Sequence, residues 1–248
     1  PAGFVLTLAL RAADDSWLKP FAQALGQDAV LFNCPLLGGD TVATPGPLMI
    51  SITAFGRVPA GKMVHRSGAR PGDRVVVTGT IGDAALGLDI LKGGVGAGAL
   101  AGDARARAML IGRYRVPQPR TWLAVAVRDH AHAAMDVSDG LAGDLAKLCT
   151  ASGVSAAIDA PGIPLSPAAA GLVARGAVGL ETLVSSGDDY EILCAIPEDR
   201  FEAFAQGARQ GNVAVTSIGT VIAGTAIPAF LDARGRELLL TRRSFSHF

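Results

Sequence analysis

The sequence predicts a mixed α/β (α+β) fold in two domains, and three observations carry that prediction. Apolar, β-branched runs alternate with segments of helical period along most of the chain. A polar, turn-rich stretch, Arg66-Ser67-Gly68-Ala69-Arg70-Pro71-Gly72-Asp73, separates two such series and divides the chain into residues 1–65 and 66–248. No fixed-period repeat runs through it, which excludes solenoids and propellers.

In the first part, Phe4–Leu10 is a compact apolar run. It lacks the basic flank and cleavage site of a signal peptide, so a strand is expected. Asp15 or Ser16 then caps a helix with Trp17, Phe21 and Leu25 at i, i+4 and i+8; Pro20 is tolerated in its first turn. Ala29–Cys34 reads as a short buried strand, Pro35–Asp40 as a turn and Leu48–Phe55 as a strand with unlike faces.

Beyond Arg66, strands are expected at Val75–Thr78, Ala133–Val137, Val154–Ile158, Tyr190–Ile196, Val213–Val221, Ile227–Leu231 and Glu237–Leu240. Helices are expected at Asp83–Leu91, Ala104–Gly112, Arg120–Asp129 and Leu141–Ala151, and near Pro167–Arg175 and Glu198–Gln210. Gly93–Gly102 reads as a flexible loop.

Composition narrows the function. The 22 Lys and Arg balance the 22 Asp and Glu, so no global field draws nucleic acid or an anionic membrane surface. Mean hydropathy is high at +0.37 but spread along the chain, and no run approaches a membrane span. Cys34, Cys149 and Cys194 are scattered and form no CxxC pair, as expected of buried, reduced thiols in a cytoplasmic protein. The histidines show no zinc spacing, and no nucleophile elbow, P-loop or dinucleotide fingerprint is present.

What stands out is acid on short Gly- or Ser-containing segments beside apolar runs: Gly38-Gly39-Asp40-Thr41, Asp136-Val137-Ser138-Asp139-Gly140 and Ser185-Ser186-Gly187-Asp188-Asp189-Tyr190-Glu191. Carboxylates repel a polyphosphate unless a divalent cation lies between them, so this pattern points to Mg²⁺ and nucleotide chemistry. Strand period puts Asp136 and Ser138 on one face, Asp139 falls at the strand-to-helix junction, and the following helix would aim free N–H groups at phosphate. The plainer alternative makes Asp139 an N-cap and Asp136 a solvated strand end. Gly38-Gly39-Asp40-Thr41 is either a close backbone approach with a metal-binding Asp40 or an ordinary turn. A cationic ligand group suits Asp188 or Asp189, with Tyr190 or Phe245 covering its face, although such aromatics also serve as plain packing. Glu191 reads as a solvated or salt-bridged strand residue. Arg66 has the geometry to fork onto phosphate or to remain solvated.

Taken in order, Leu37–Thr41, Arg66–Asp73, Val77-Thr78-Gly79-Thr80-Ile81-Gly82-Asp83-Ala84-Ala85, Met135–Leu141 and Gly187–Ile192 resemble the thiamine-monophosphate kinase family, within the aminoimidazole-ribonucleotide-synthetase-like superfamily. The resemblance implies the two-domain fold of that superfamily, a homodimer built through N-terminal strands, and residues 1–65 as the remainder of an ATP-binding and dimerisation domain. It implies transfer of the ATP γ-phosphoryl group to thiamine monophosphate, with Asp40, Asp136 and Asp139 holding several Mg²⁺ ions and taking the catalytic part. Gly39, Asp40, Arg66 and Ser138 would contact ATP; Asp188 and Phe245 would lie at the thiamine end. In-line attack by one phosphate on another is mainly a matter of positioning and charge screening.

The chain begins at Pro1, and the family pattern expects an earlier N-terminal portion with further acidic metal ligands, without which catalysis would be crippled. Asp188 stands where the family usually has Glu, and Val42 where a second Thr is common. Two other readings remain open on the residues alone: a superfamily relative acting on another substrate, such as a purine precursor, and a nucleotide-binding regulatory protein without turnover.

Overall fold

A computed structural model describes residues 1–244, which divide into two compact units at Met63/Val64. In the first, β1 (Gly3–Leu10) leads into α1 (Asp15–Leu31), then β2 (Leu36–Ala43) and β3 (Met49–Phe55). The sheet order is β2-β1-β3, with β1 and β2 parallel and β1 and β3 antiparallel. Parallel neighbours need a crossover, and α1 supplies it. Its cap is Asp14, one residue before the expected position, whose carboxylate accepts Ser16 N–H at 2.9 Å. Trp17 and Phe21 stack, their centroids 4.8 Å apart.

Two expectations fail here. Ala29–Cys34 is not a strand: α1 continues through Leu31 and Phe32 closes it by donating to the Asp28 carbonyl. The apolar run misled because Ala29 continues the half-buried stripe begun by Phe21 and Leu25. Pro35–Asp40 is not a turn either, because Leu36 to Asp40 pair in β2.

The second unit is built on a six-stranded sheet, ordered β5-β7-β4-β8-β6-β9. These strands are β4 (Arg74–Thr78), β5 (Ala133–Val137), β6 (Ser155–Asp159), β7 (Glu191–Ile196), β8 (Val215–Ile222) and β9 (Ala229–Leu231). All neighbours are antiparallel except β6 and β9. The helices are α2 (Asp83–Leu91), α3 (Val95–Ala99), α4 (Ala104–Arg115), α5 (Ala124–His130), α6 (Leu141–Ser152), α7 (Pro167–Ala174), α8 (Leu180–Val184) and α9 (Phe201–Gln210).

Period-two alternation in β4 explains the layers. Val75 and Val77 pack with Leu141, Leu145 and Leu148 of α6, whereas Val76 packs with Ala126 of α5 and with Phe204 and Ala208 of α9. The central sheet is thus covered on both faces. A third apolar cluster, with Leu86, Ile90, Leu110, Leu172 and Leu183, joins α2, α4, α7 and α8 beside it. At Gly87, α2 approaches α4 so closely that a Cβ would stand 2.2 Å from the Leu110 carbonyl oxygen.

Other differences have local causes. Gly93–Gly102 contains α3 because Asp89 accepts Gly96 N–H at 2.7 Å and Arg107 donates to the Ala97 carbonyl at 2.8 Å. Glu237–Leu240 forms only a bridge, Leu231 to Glu237, after a turn in which Asp232 accepts the N–H groups of Arg234 and Arg236. The expected helix over Arg120–Asp129 opens with a 3₁₀ turn, Thr121–Leu123, and α8 had no clear periodic signal. The cysteines are free; burial pushes the Cys149 thiol up to about 11 and the Cys194 thiol to about 12. Among the described residues, no helix is long and apolar enough to cross a membrane.

Candidate active site

Two backbone corners of the second unit meet edge to edge. One follows β5, where Ser138 and Asp139 lead to Gly140 and α6; the other, Ser185 to Tyr190, leads into β7. Asp188 N–H donates to the Ser138 carbonyl at 2.9 Å and Tyr190 N–H to the Val137 carbonyl at 2.8 Å. Glycines make the approach possible. A Cβ on Gly187 would stand 2.2 Å from the Ser138 oxygen, and one on Gly140 2.8 Å from the Ser185 carbonyl carbon, with Gly140 also at φ 113°.

The first corner is held from behind by a carboxylate that sequence reasoning missed. Fully buried Asp144, in the first turn of α6, accepts the N–H groups of Ser138 and Asp139, each at 2.9 Å. Those amides are therefore engaged internally. Lys147 donates to Asp139 at 2.6 Å and to Asp144 at 2.8 Å. Burial opposes its charge, but these two hydrogen bonds hold its ammonium above the ordinary lysine value. Gly140 is the N-cap of α6 and no side chain caps the helix, so Asp139 is not its cap. Asp144 and Lys147 were findable: an acid in a helix's first turn with Lys three residues on is a recognised pattern.

In the second corner, Asp188 (φ 71°) and Tyr190 (φ 50°) adopt left-handed conformations that non-glycine residues rarely hold. Between them Asp189 turns inward, 1% exposed, and accepts the N–H groups of Gly82 at 2.7 Å and Ala84 at 3.2 Å, at the start of α2. Burial raises its pKa to about 7 against these bonds. Asp189 is thus an internal clamp and Asp188 the outward member of the pair. Glu191 is fully buried and salt-bridged, not solvated: it accepts from Thr78 at 2.6 Å, Arg113 at 2.8 Å and Arg120 at 2.5 Å.

Asp188 and Tyr190 line a cavity of about 920 Å³ that also reaches Ser138 and Asp139. Leu86, Leu172, Val178 and Tyr114 give it apolar and aromatic walls; Asp89 and Lys92 contribute charge. Burial raises the Tyr190 hydroxyl pKa first, followed by the charges of Asp188 and Asp136, a hydrogen bond with Asp188, and the charge of Asp139. These carboxylates therefore share one electrostatic neighbourhood. Among the described residues, no three His, Cys, Asp or Glu side chains form a metal-holding group. Mg²⁺ is commonly held by one or two carboxylates together with substrate phosphates, and the oxygen donors of Asp136 and Asp139 have that chemistry.

Arg66 is exposed, and its carbonyl accepts Ser152 Oγ at 3.4 Å, at the C-terminal end of α6. Twelve residues of helix, about 18 Å, separate that end from the Ser138 corner. Gly39 and Asp40 lie in β2 of the first unit, where a Cβ on Gly39 would stand 1.8 Å from the Leu6 carbonyl oxygen. Exposed Asp40 accepts Thr41 N–H at 2.8 Å. Phe245 lies outside the described residues.

Residues 1–58 match the family described as AIR synthase related protein, N-terminal domain, and residues 70–231 match its C-terminal domain. A curated thiamine-monophosphate kinase of Caulobacter vibrioides is 39% identical over all of this chain and 68% of that protein. The crystal structure of thiamine-monophosphate kinase from Stenotrophomonas maltophilia superposes with a TM-score of 0.82 at 32% identity, covering 96% of this chain and 73% of that one. A structure described as AaThiL complexed with AMPPCP and TMP gives 0.77 at 25% identity, over 100% of this chain and 74% of that one. With both AIR synthase related domains matched and that identity spanning its whole length, this chain belongs to the thiamine-monophosphate kinase family.

Proposed function

We propose that the protein transfers the γ-phosphoryl group of ATP to the phosphate of thiamine monophosphate, forming thiamine diphosphate. The observation that carries this reading is the joining of the Ser138-Asp139 and Asp188-Tyr190 corners at one cavity. Relatives named thiamine-monophosphate kinase and the AaThiL complex with AMPPCP and TMP support the substrate pair.

The chemistry follows from the residues. The acceptor phosphate is already ionised near neutral pH, so its oxygen attacks the γ-phosphorus without a general base, and ADP leaves. Asp136 and Asp139 would hold Mg²⁺, which supplies charge screening between nucleotide and acceptor. Asp188 offers negative charge to the cationic thiazolium ring, with the half-exposed ring of Tyr190 beside it. The apolar wall of Leu86, Leu172 and Val178 suits the body of an aromatic heterocycle. Gly39, Asp40 and Arg66 are assigned to ATP and metal contacts, and Phe245 to the thiamine end, on the family likeness.

A homodimer through the first unit is part of this reading. In β2 and β3 every residue is exposed, including Leu36, Leu37, Met49, Ile50, Ile52 and Phe55, a concentration of apolar surface expected of an interface.

Incubation of the full-length protein with ATP, Mg²⁺ and thiamine monophosphate should yield thiamine diphosphate by mass spectrometry. No product under these conditions, with the protein folded, sinks the reading.

A further inference from the structure

We propose that Arg113 is a positioning residue that holds the Asp188-to-Tyr190 corner in its left-handed form and so sets how tightly the phosphate acceptor binds. The proposal rests on the kinase reading for its substrate and on the following geometry for its cause.

Left-handed backbone at Asp188 (φ 71°) and Tyr190 (φ 50°) persists only where its surroundings over-determine it. Two restraints come from the backbone of the facing corner, through Ser138 and Val137, and one from Asp189 capping the start of α2. A further restraint is a side chain from outside the corner. Arg113 Nη2 donates to the Asp189 carbonyl at 3.3 Å and to Glu191 Oε1 at 2.8 Å, gripping the peptide between the two unusual residues and the first residue of β7 with one nitrogen.

Arg113 is aimed there by packing. Leu110, one turn earlier on α4, is fully buried, and α4 lies against α2 where Gly87 permits close approach. The guanidinium is thus carried by a helix fixed to the same α2 whose first N–H groups Asp189 caps. Tyr114, the next residue, lines the cavity. No contact of Arg113 with the reacting atoms is needed.

Glu191 would not be stranded by loss of Arg113, since Arg120 and Thr78 still donate to it. That separates positioning from folding. In Arg113→Met, hydrogen exchange of the peptide spanning residues 185–191 should rise about tenfold while β4 exchanges as in the wild type. KM for thiamine monophosphate should rise about tenfold with KM for ATP unchanged, because the acceptor's contacts are displaced and the nucleotide's are not. Arg113→Lys, which keeps a cationic donor, should recover most of both effects. Unchanged exchange at 185–191, or a rise in both KM values together, overturns the proposal. If the wild-type protein does not phosphorylate thiamine monophosphate, the kinase reading fails instead, and the exchange comparison alone decides whether Arg113 holds the corner.

Discussion

Gly187→Ala places a methyl group where the two corners touch. Its Cβ would stand 2.2 Å from the Ser138 carbonyl oxygen, 3.1 Å from the Ser138 carbonyl carbon and 3.2 Å from Asp139 Cα. All are backbone atoms, so no rotamer change relieves the clash; the corners must separate by about 1 Å to approach ordinary contact. That movement stretches the 2.9 Å bond from Asp188 N–H to Ser138. Overpacking costs about 1–3 kcal/mol and the hydrogen bond about 0.5–1.5 kcal/mol, together roughly 2–4 kcal/mol. For a unit of this size each kcal/mol lowers the melting temperature by about 2–4 °C, so a fall of roughly 4–16 °C is expected. The larger effect is on function, since a misplacement of about 1 Å costs on the order of 10²-fold in rate. Calorimetry and steady-state assay of thiamine diphosphate formation would measure both. A variant retaining kcat/KM within about threefold would refute the argument that this backbone contact builds the site.

Further outcomes follow from the same geometry. Asp139→Asn should lower kcat about 10²-fold, as loss of one group stabilising transition-state charge does. Its melting temperature should fall by only about 4 °C or less, because the half-exposed pair with Lys147 contributes about 1 kcal/mol at most. Asp188→Asn should instead raise KM for thiamine monophosphate about tenfold or more, the scale of a charge-assisted contact, as read from substrate titrations. Chelation of Mg²⁺ should abolish turnover and readdition restore it, measured by product formation. Asp189 gives a pH signature: its folded pKa of about 7 lies above the unfolded carboxylate value of 3.8, so the folded state binds the extra proton between them. Its contribution is present below pH 3.8 and lost as pH rises through 7. Urea unfolding should show wild-type stability falling relative to Asp189→Asn by about 2–3 kcal/mol between pH 5 and 7.

The layered sheet was legible because it is written in local pattern. Val75, Val76 and Val77 alternate between two cores, and Leu141, Leu145 and Leu148 return every third or fourth residue to one of them. Illegible parts were those decided by distant partners. Ala29–Leu31 reads as apolar whether strand or helix, and only pairing of Leu36–Ala43 with β1 settles where the strand begins. Order in Gly93–Gly102 comes from Asp89 and Arg107, not from the segment's own propensity. At the candidate site, two of the acid-dense segments meet at one cavity, but acids adjacent in sequence serve opposite purposes. Asp188 faces the cavity while Asp189 caps α2, and Asp144, an acid in the first turn of α6, holds the Ser138 corner. Such distinctions depend on burial and on the left-handed backbone at Asp188 and Tyr190, neither of which is encoded by neighbouring residues alone.

The most direct test of the account is to follow the phosphoryl group itself. With ATP labelled at the γ-phosphoryl position, Mg²⁺ and thiamine monophosphate, the full-length protein should move the label into the terminal phosphate of thiamine diphosphate, with ADP formed in equal amount. Label released only as inorganic phosphate, or retained in ATP by a folded protein, would contradict it.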